Sequence, residues 1–478
     1  MPSRQIALRL DEPPALREGL RRLRAELGIP GRFGAGVLAE AEAAAARPSL
    51  PERDLTDIGF ITLDPEGSTD LDQAFHLSRR PGGFLLRYAI ADVAAFVRPG
   101  GAIDAETHER GETYYAPTHR TPLHPEVLSE GATSLLAGQE RPALVWELEL
   151  DADGLTTSTR VARARVRSRR QWAYPEAQAA LDAGTADPQF ELLRIVGELR
   201  QQQEAARGGV SLPVPEQEVV TTGHGWQLAF RGLLPIENWN AQLSLATGMA
   251  AAAIMLEGGQ GILRTLPPAR DSGLAKLRRT AAALGIRWSH ATDYPAFVRS
   301  LDASDPRHAA MLNACTLLFR GAGYQAFHGT PPEQPEHAAI AAPYAHCTAP
   351  LRRLVDRYAG EICVALCAGT EVPAWVGEAL PSLPGEMEQT VRRGKKYERG
   401  IVDLVEAMVL APRLGETFVG TVLEVDPEDG DGVLQLQEPA VEAVVKGADL
   451  SLGEEVRATL VAADLLSGSV RFAALAWP

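Results

Sequence analysis

The stretch ALVWELELDADGLTTSTRVARARVRSRR, residues 143–170, alternates apolar and polar side chains on both sides of the break Asp151-Ala-Asp-Gly154. A period of two puts one set of side chains on a buried face, and an Asp/Gly turn between two such runs is hairpin chemistry. The stretch therefore reads as two antiparallel strands. Upstream, IGFITL from Ile58 and FLLRYAI from Phe84 have the same texture, punctuated by PGG at 81–83 and RPGG at 98–101. Downstream, longer helical patterns take over at 188–207, 236–257, 271–284, 306–321, 350–368 and 386–410. Strands first and helices later indicate a large α+β domain.

Two further textures flank it. After Pro412 come GETFVGTVLEV, GVLQLQ, EAVVKG, EEVRATLVAAD and GSVRFAAL, five short strands that suit a small all-β barrel of the OB kind. Ahead of Pro48, PALREGLRRLRAEL and AGVLAEAEAAAARP read as two helices broken by GIPGRFG. They form either a helix-turn-helix module or a helical cap on the next domain, since two helices bury too little to stand alone. The expected division is a helical module at 1–50, a mixed α/β domain at 51–411 and a barrel at 412–478.

At 478 residues the chain is long enough for two to four domains, and 45% hydrophobic with 23% charged residues is an ordinary globular balance. Four cysteines with no CxxC pair indicate neither a disulfide framework nor a structural zinc site. The first residues lack the apolar core of a signal peptide, and the run Leu243 to Leu256 is too short to span a bilayer. A soluble protein of the reducing cytoplasm is expected, with no membrane partner. The net charge is −15, and it is uneven: +2 over residues 1–50 and −9 over residues 415–478. A phosphate polymer can be bound only where the basic groups concentrate. All but four of the 47 basic residues are arginine, whose planar fork suits bidentate phosphate contacts.

Four constellations carry chemistry. In ITLDPEGSTDLDQAF, residues 61–75, Asp64, Asp70 and Asp72 fall within nine residues on a loop that follows a strand. Clustered carboxylates repel one another unless a cation joins them, and an all-oxygen set points to magnesium or manganese held together with substrate phosphates. In AAPYAHCTAPLRRLVDRY, residues 341–358, Thr348 can cap a helix with Pro350 in its first turn, which places Arg352 and Arg353 at the positive helix end as an anion site. Asp356 can instead pair with Arg352. In VRRGKKYERG, residues 391–400, five cations surround Tyr397 and Glu398. Finally, Arg163, Arg165, Arg167 and Arg169 share one face of a strand that runs into Trp172 and Tyr174, the pairing of guanidinium and aromatic that single-stranded nucleic acid needs.

Taken in order, these segments resemble the ribonuclease II (RNB) family of 3′→5′ exoribonucleases. The resemblance runs from about Arg53 to Leu410 through the aspartate loop, AIADVAAFVRPGGAIDAE at 89–106, RGETYYAP with LHPEVLSEGATSL at 110–135, WNAQLSLATGMAA at 239–251, YAHCTAPLRRLVDRY at 344–358 and YERGIVD at 397–403. It implies a processive, magnesium-dependent enzyme, active with manganese as an alternative ion, that hydrolyses single-stranded RNA from a free 3′ end to nucleoside 5′-monophosphates. By the resemblance, Asp64, Asp70 and Asp72 hold the ion and its water, and Arg352 steadies charge on the scissile phosphate. Tyr115 stacks on terminal bases, and Glu398 lies near the last nucleotide. The RNA path is expected to take in Tyr344, His346 and Arg399 as well, together with Arg165 and Arg167 of the strand face. The family usually has a further aspartate where this chain has Gln73, a neutral oxygen ligand that weakens the hold on the metal. Two other readings stay open: an RNA-binding protein that lost turnover, and an endonuclease or DNA-directed nuclease. A monomer is expected.

Overall fold

The computed structural model describes residues 14–475 apart from 117–118, 213–215, 223–224, 304, 427–429, 437 and 448–449. Helices α1 (Pro14–Glu26) and α2 (Ala35–Ala45) precede strands β1 (Phe60–Asp64), β2 (Gln73–Arg80) and β3 (Gly83–Ala91). After α3 (Ala102–Arg110) and the strand pair β4 (Tyr114–Tyr115) and β5 (Arg120–Thr121) come the long strands β6 (Glu140–Asp151) and β7 (Thr156–Ala173), the hairpin expected from the opening stretch. Strands β1, β2, β3, β6 and β7 close a barrel in that order, with β1 and β7 parallel.

The registers explain why the barrel holds. Phe75 stands opposite Tyr88, Tyr88 opposite Trp146 and Trp146 opposite Val161, so one layer of large side chains crosses four strands. None is more than 2% exposed. Burying a side chain of this size is worth roughly 1.5–3 kcal/mol. One residue along, Ala74, Ala89 and Val145 face the other way and pack with Val93, Phe96, Val37 of α2 and Leu351.

The helical half follows: α4 (Tyr174–Asp182), α5 (Pro188–Ala206), the hairpin β8 (Glu216–Thr222) and β9 (Gly225–Arg231), and α6 (Pro235–Glu257). Next are β10 (Gln260–Thr265), α7 (Asp271–Ala283), α8 (Tyr294–Arg299), α9 (Pro306–Cys315), β11 (Gly323–His328), β12 (Glu336–His337) and β13 (Ala342–Pro343). The half ends with α10 (Leu354–Ala368), α11 (Ala374–Ala379) and the 28-residue α12 (Leu383–Leu410). Phe190 of α5, Leu243 of α6 and Tyr358 of α10 join the same core as the large barrel layer. Two features depart from the periodicity. The hairpins β8–β9 and β10–β11 lie among the helices where no strand was expected, and α10 begins at Leu354 rather than Pro350.

The C-terminal segment forms a second closed barrel from β14 (Thr417–Val425), β15 (Gly432–Leu436), β16 (Val441–Lys446), β17 (Glu455–Asp464) and β18 (Ser469–Ala474), ordered β14-β15-β16-β18-β17. These are the five segments read as strands. Its core is continuous with Leu16 and Leu20 of α1 and Leu404 and Leu410 of α12, so helix and barrel share one apolar interior. The N-terminal helices thus act as a cap, α1 against α12 and α2 beside α3. Among the described residues no helix is long and apolar enough to cross a membrane, and all four cysteines are free.

Because Leu20 is 1% exposed in the core shared by α1, α12 and the second barrel, Leu20→Ala should cost about 2–5 kcal/mol. The check is the thermal unfolding of the whole chain. The main transition should move down, whereas a free-standing N-terminal module would leave it in place.

Candidate active site

The aspartate loop connects the end of β1 to the start of β2. Gly67 turns it with φ of 82°, a left-handed conformation that a side chain resists, and the Ser68 amide closes the turn on the Pro65 carbonyl. From the segment after β5, Ser134 fastens the far side: its hydroxyl accepts from the Leu71 amide at 2.9 Å and donates to the Thr69 carbonyl at 2.7 Å. The three carboxylates are thereby held with little freedom.

Each then meets a different environment. Asp70 accepts from Arg120 at 2.7 Å, and the Tyr115 hydroxyl lies 3.4 Å from its other oxygen. Arg120 also reaches Thr69 at 2.6 Å and Glu130, so it clamps the loop from β5. Asp72 is 6% exposed, accepts from the Leu351 amide at 2.8 Å and faces Arg352 at 3.5 Å. Burial outweighs both partners and pushes its carboxyl up to about 8. Burial, reinforced by the charge of Asp70, pushes Asp64 up to about 7, and its Oδ2 is buried with no hydrogen-bond partner. Two carboxylates that resist ionising and an orphaned oxygen form a donor set that a divalent cation fits. Among the described residues no three His, Cys, Asp or Glu side chains form a ready-made cage. The arrangement is the partial, all-oxygen kind that takes an ion jointly with phosphate oxygens.

Residues 344–353 supply the opposite wall, and here the two adjacent arginines part company. Arg353 forms a bidentate pair with Asp356 at 2.7 and 2.9 Å, and the Ala349 amide donates to Asp356 at 2.7 Å. Thr348 does not cap α10; Arg353 occupies the cap position without a side-chain bond. The proposed anion site at the helix end is therefore filled by the helix's own Asp356, while Arg352 alone turns to the aspartates. Beneath it His124, held neutral by burial with its pKa near 4, donates from Nδ1 to the Leu351 carbonyl at 3.2 Å.

Of the other sequence candidates, Tyr344 is buried and His346 half-buried. Their rings meet edge to face at 5.6 Å, and His346 shares a 2.7 Å hydrogen bond with the Tyr324 hydroxyl. Glu398 projects from α12 near Glu112, whose carboxyl is pushed up to about 7 by burial and then by Glu398. Arg399 pairs with Asp403 at 2.9 Å.

The strand arginines are not a free cationic face. Arg163 meets Asp92 at 2.8 Å and Glu361, Arg165 meets Asp54 and Glu140, Arg167 meets Glu140, and Arg169 meets Asp187 at 2.9 Å. With Ala173 opposite Asp64, Arg167 and Arg165 lie six and eight residues back along β7, roughly 20–26 Å from the loop at about 3.3 Å per residue. Trp172 is 6% exposed, packed edge-on against Phe190 with Arg170 over its ring, and presents no stacking platform. Sequence reading passed over Arg120 and Glu130. Arg120 owes its place to the register of β4 and β5, which sets it opposite Tyr115.

Comparison with known proteins places this geometry. The profile of the RNB domain matches residues 52–367, and that of the RNase II-type exonuclease C-terminal S1 domain matches residues 416–475. An exosome complex exonuclease homologue of Arabidopsis thaliana is 28% identical over 371 residues, 74% of this chain and 39% of that protein. Ribonuclease R of Aquifex aeolicus is 26% identical over 449 residues, 87% of this chain and 61% of its own. The chain thus spans 39% to 61% of the length of these two relatives. Among solved structures, Mycoplasma genitalium RNase R in complex with ribose-methylated single-stranded RNA superposes with a TM-score of 0.86 at 19% identity, covering 97% of this chain and 78% of that one. A yeast pseudonuclease gives 0.70 at 18% identity, covering 87% and 54%. The RNB profile covers well over half of the chain and contains both walls of the site, the aspartate loop and the Arg352 segment, and on that ground the chain belongs to the RNB domain family.

Proposed function

We propose that this protein is a 3′→5′ exoribonuclease that hydrolyses single-stranded RNA to nucleoside 5′-monophosphates with a divalent cation, magnesium first and manganese second, in the cytoplasm and as a monomer. The observation that carries the reading is the buried Asp72 carboxylate, bound by the Leu351 amide and faced by Arg352 across a loop with two more aspartates. Free cysteines support the reducing compartment. Relatives named as exonuclease and Ribonuclease R support the activity, and the single-stranded RNA of the superposed structure supports the substrate.

Asp64, Asp70 and Asp72 would hold the ion, which when bound supplies charge neutralisation at the phosphate and acidifies an attacking water. The chain does the rest. Arg120 fixes Asp70, and Arg352 lies where negative charge grows as water adds to phosphorus and the bond to the 3′ oxygen of the preceding nucleotide breaks. Tyr115 borders Asp70, so a terminal base stacked on its ring would lie beside the reacting phosphate. Arg165 and Arg167, paired with Asp54 and Glu140, are assigned to the outer RNA path, where their carboxylate partners leave them a small share of binding. A second reading, an RNA-binding protein without turnover, is favoured by one observation: Gln73 stands where the family usually has a carboxylate. Degradation of end-labelled single-stranded RNA, single-stranded DNA and tailed duplex, with and without magnesium, separates these readings.

Asp72→Asn keeps an oxygen for the Leu351 amide and loses the charge, so hydrolysis should vanish while RNA affinity stays. Arg352→Ala should lower the rate about 10²–10³-fold, as removal of a transition-state donor does. Near-normal turnover in either variant contradicts the site.

Tyr115→Ala should forfeit roughly 1–3 kcal/mol of stacking and leave longer end products, whereas Tyr115→Phe, which keeps the ring, should leave product length unchanged. Sequencing-gel product lengths decide it.

Protons and the cation compete for the buried carboxylates. The raised folded-state values of Asp64 and Asp72, about 7 and about 8 against 3.8 unperturbed, mean that ionising them weakens the ion-free fold as pH rises from about 4 to 8. Added magnesium should therefore raise Tm more at pH 8 than at pH 5. An equal rise at both values contradicts the assignment.

A further inference from the structure

Gln73 begins β2 directly after Asp72, and its side chain is spent on three other segments. Its Nε2 donates to the Thr348 carbonyl at 2.6 Å, ahead of α10. Its Oε1 accepts from the Tyr88 hydroxyl on β3, with the Ser244 hydroxyl of α6 at 3.4 Å. The orientation is not arbitrary, because a carbonyl oxygen only accepts and must face the amide nitrogen.

We propose that Gln73 is a positioning residue for Arg352, acting through the Thr348 carbonyl, and not an oxygen ligand of the cation. The proposal rests on the reading of the site given above. A carboxylate at this position has no N–H to give, and an oxygen placed 2.6 Å from the Thr348 carbonyl oxygen would be repelled. The amide that departs from the family pattern is therefore the group this hydrogen-bond network requires. The turn that carries Arg352 is anchored by Gln73 on the Thr348 carbonyl, Asp356 on the Ala349 amide, Asp72 on the Leu351 amide, His124 on the Leu351 carbonyl and the Thr113 amide on the Arg352 carbonyl. Gln73 and Asp72 grip the turn from β2 and the residue before it, so the barrel has a direct hold on where the guanidinium stands. Tyr88 belongs to the buried barrel layer and makes the grip stiff. A misplacement of about 1 Å at a charge-stabilising group costs about 10²-fold in rate.

The test combines single-turnover RNA cleavage with a manganese titration read by electron paramagnetic resonance. Gln73→Met and Gln73→Glu keep the length and lose the donor. Each should lower kcat about 10–100-fold with KM within about 3-fold, and the loss should shrink below about 2-fold in an Arg352→Ala background, because the effect travels through that arginine. Manganese affinity of Gln73→Met and Gln73→Asp should stay within about 2-fold of the parent, since no ligand is removed or gained. Should Gln73→Met fail to fold, Tyr88→Phe, which takes away only the hydroxyl on Oε1, should show a smaller loss with the same dependence on Arg352. Tighter manganese binding by Gln73→Asp, or an equal rate loss with and without Arg352, overturns the proposal. A parent that degrades no RNA refutes the exoribonuclease reading instead, and the manganese titration still decides whether Gln73 is a ligand.

Discussion

The hydrogen bond from the Leu351 amide to Asp72 joins the first barrel to the helical half across 279 positions of sequence. Everything at the site depends on the cost of that contact. A carboxylate removed from water must be compensated in place, and a single amide with a guanidinium at 3.5 Å does not suffice, as the upward shift of Asp72 shows. Asp64, half-buried and with its buried Oδ2 lacking a partner, repeats the deficit on the next strand end. The fold therefore stores an unmet demand for positive charge between two rigid walls. The barrel layer of Phe75, Tyr88, Trp146 and Val161 keeps one wall from relaxing to relieve it, and α10 anchors the other.

Adjacent arginines show how the same residue type is put to opposite uses. The Arg353 guanidinium grips both oxygens of the buried Asp356 and closes the N-terminus of α10, a bidentate pair whose job is to hold a turn. Arg352 is one third exposed and lies against the most deeply buried carboxylate of the loop. What separates them is one residue of backbone: α10 starts at Leu354, so Arg353 still belongs to the helix entry and Arg352 to the loop.

That one-residue distinction marks the limit of what the sequence made legible. The second barrel and the strands of the first were readable, because period-two alternation and Asp or Gly turns act within a few residues, whereas the closure of the first barrel through the parallel pairing of β1 with β7 was not. So were most helices, whose apolar stripes repeat locally. The aspartate loop and Arg352 were readable as charge clusters with family spacing. The fate of the strand arginines was not. Their partners Asp54, Asp92, Asp187 and Glu361 are scattered over three hundred residues, and only the closed barrel brings them to β7. Arg120 was hidden for the same reason, since its role follows from a cross-strand position beside Tyr115 and from the loop it meets. Local pattern specifies elements; long-range pairing specifies which charges remain available to a substrate.

The C-terminal barrel illustrates the consequence for function. Its one early aromatic, Phe418, is 6% exposed and packs edge-on against Phe472 in the interior, so it offers no ring to a base. Its net charge of −9 gives it few phosphates to neutralise. What the barrel does supply is apolar surface to α12, the helix whose Arg393 donates to the Tyr114 hydroxyl at 2.7 Å, next to Tyr115. Removing the barrel would uncover the α12 face and, through Arg393, loosen the β4 strand that presents Tyr115 to the aspartates. Loss of activity on truncation would therefore report a damaged site as readily as a lost RNA contact. Only substitutions on the barrel's exposed faces, which leave its shared core intact, can tell the two apart.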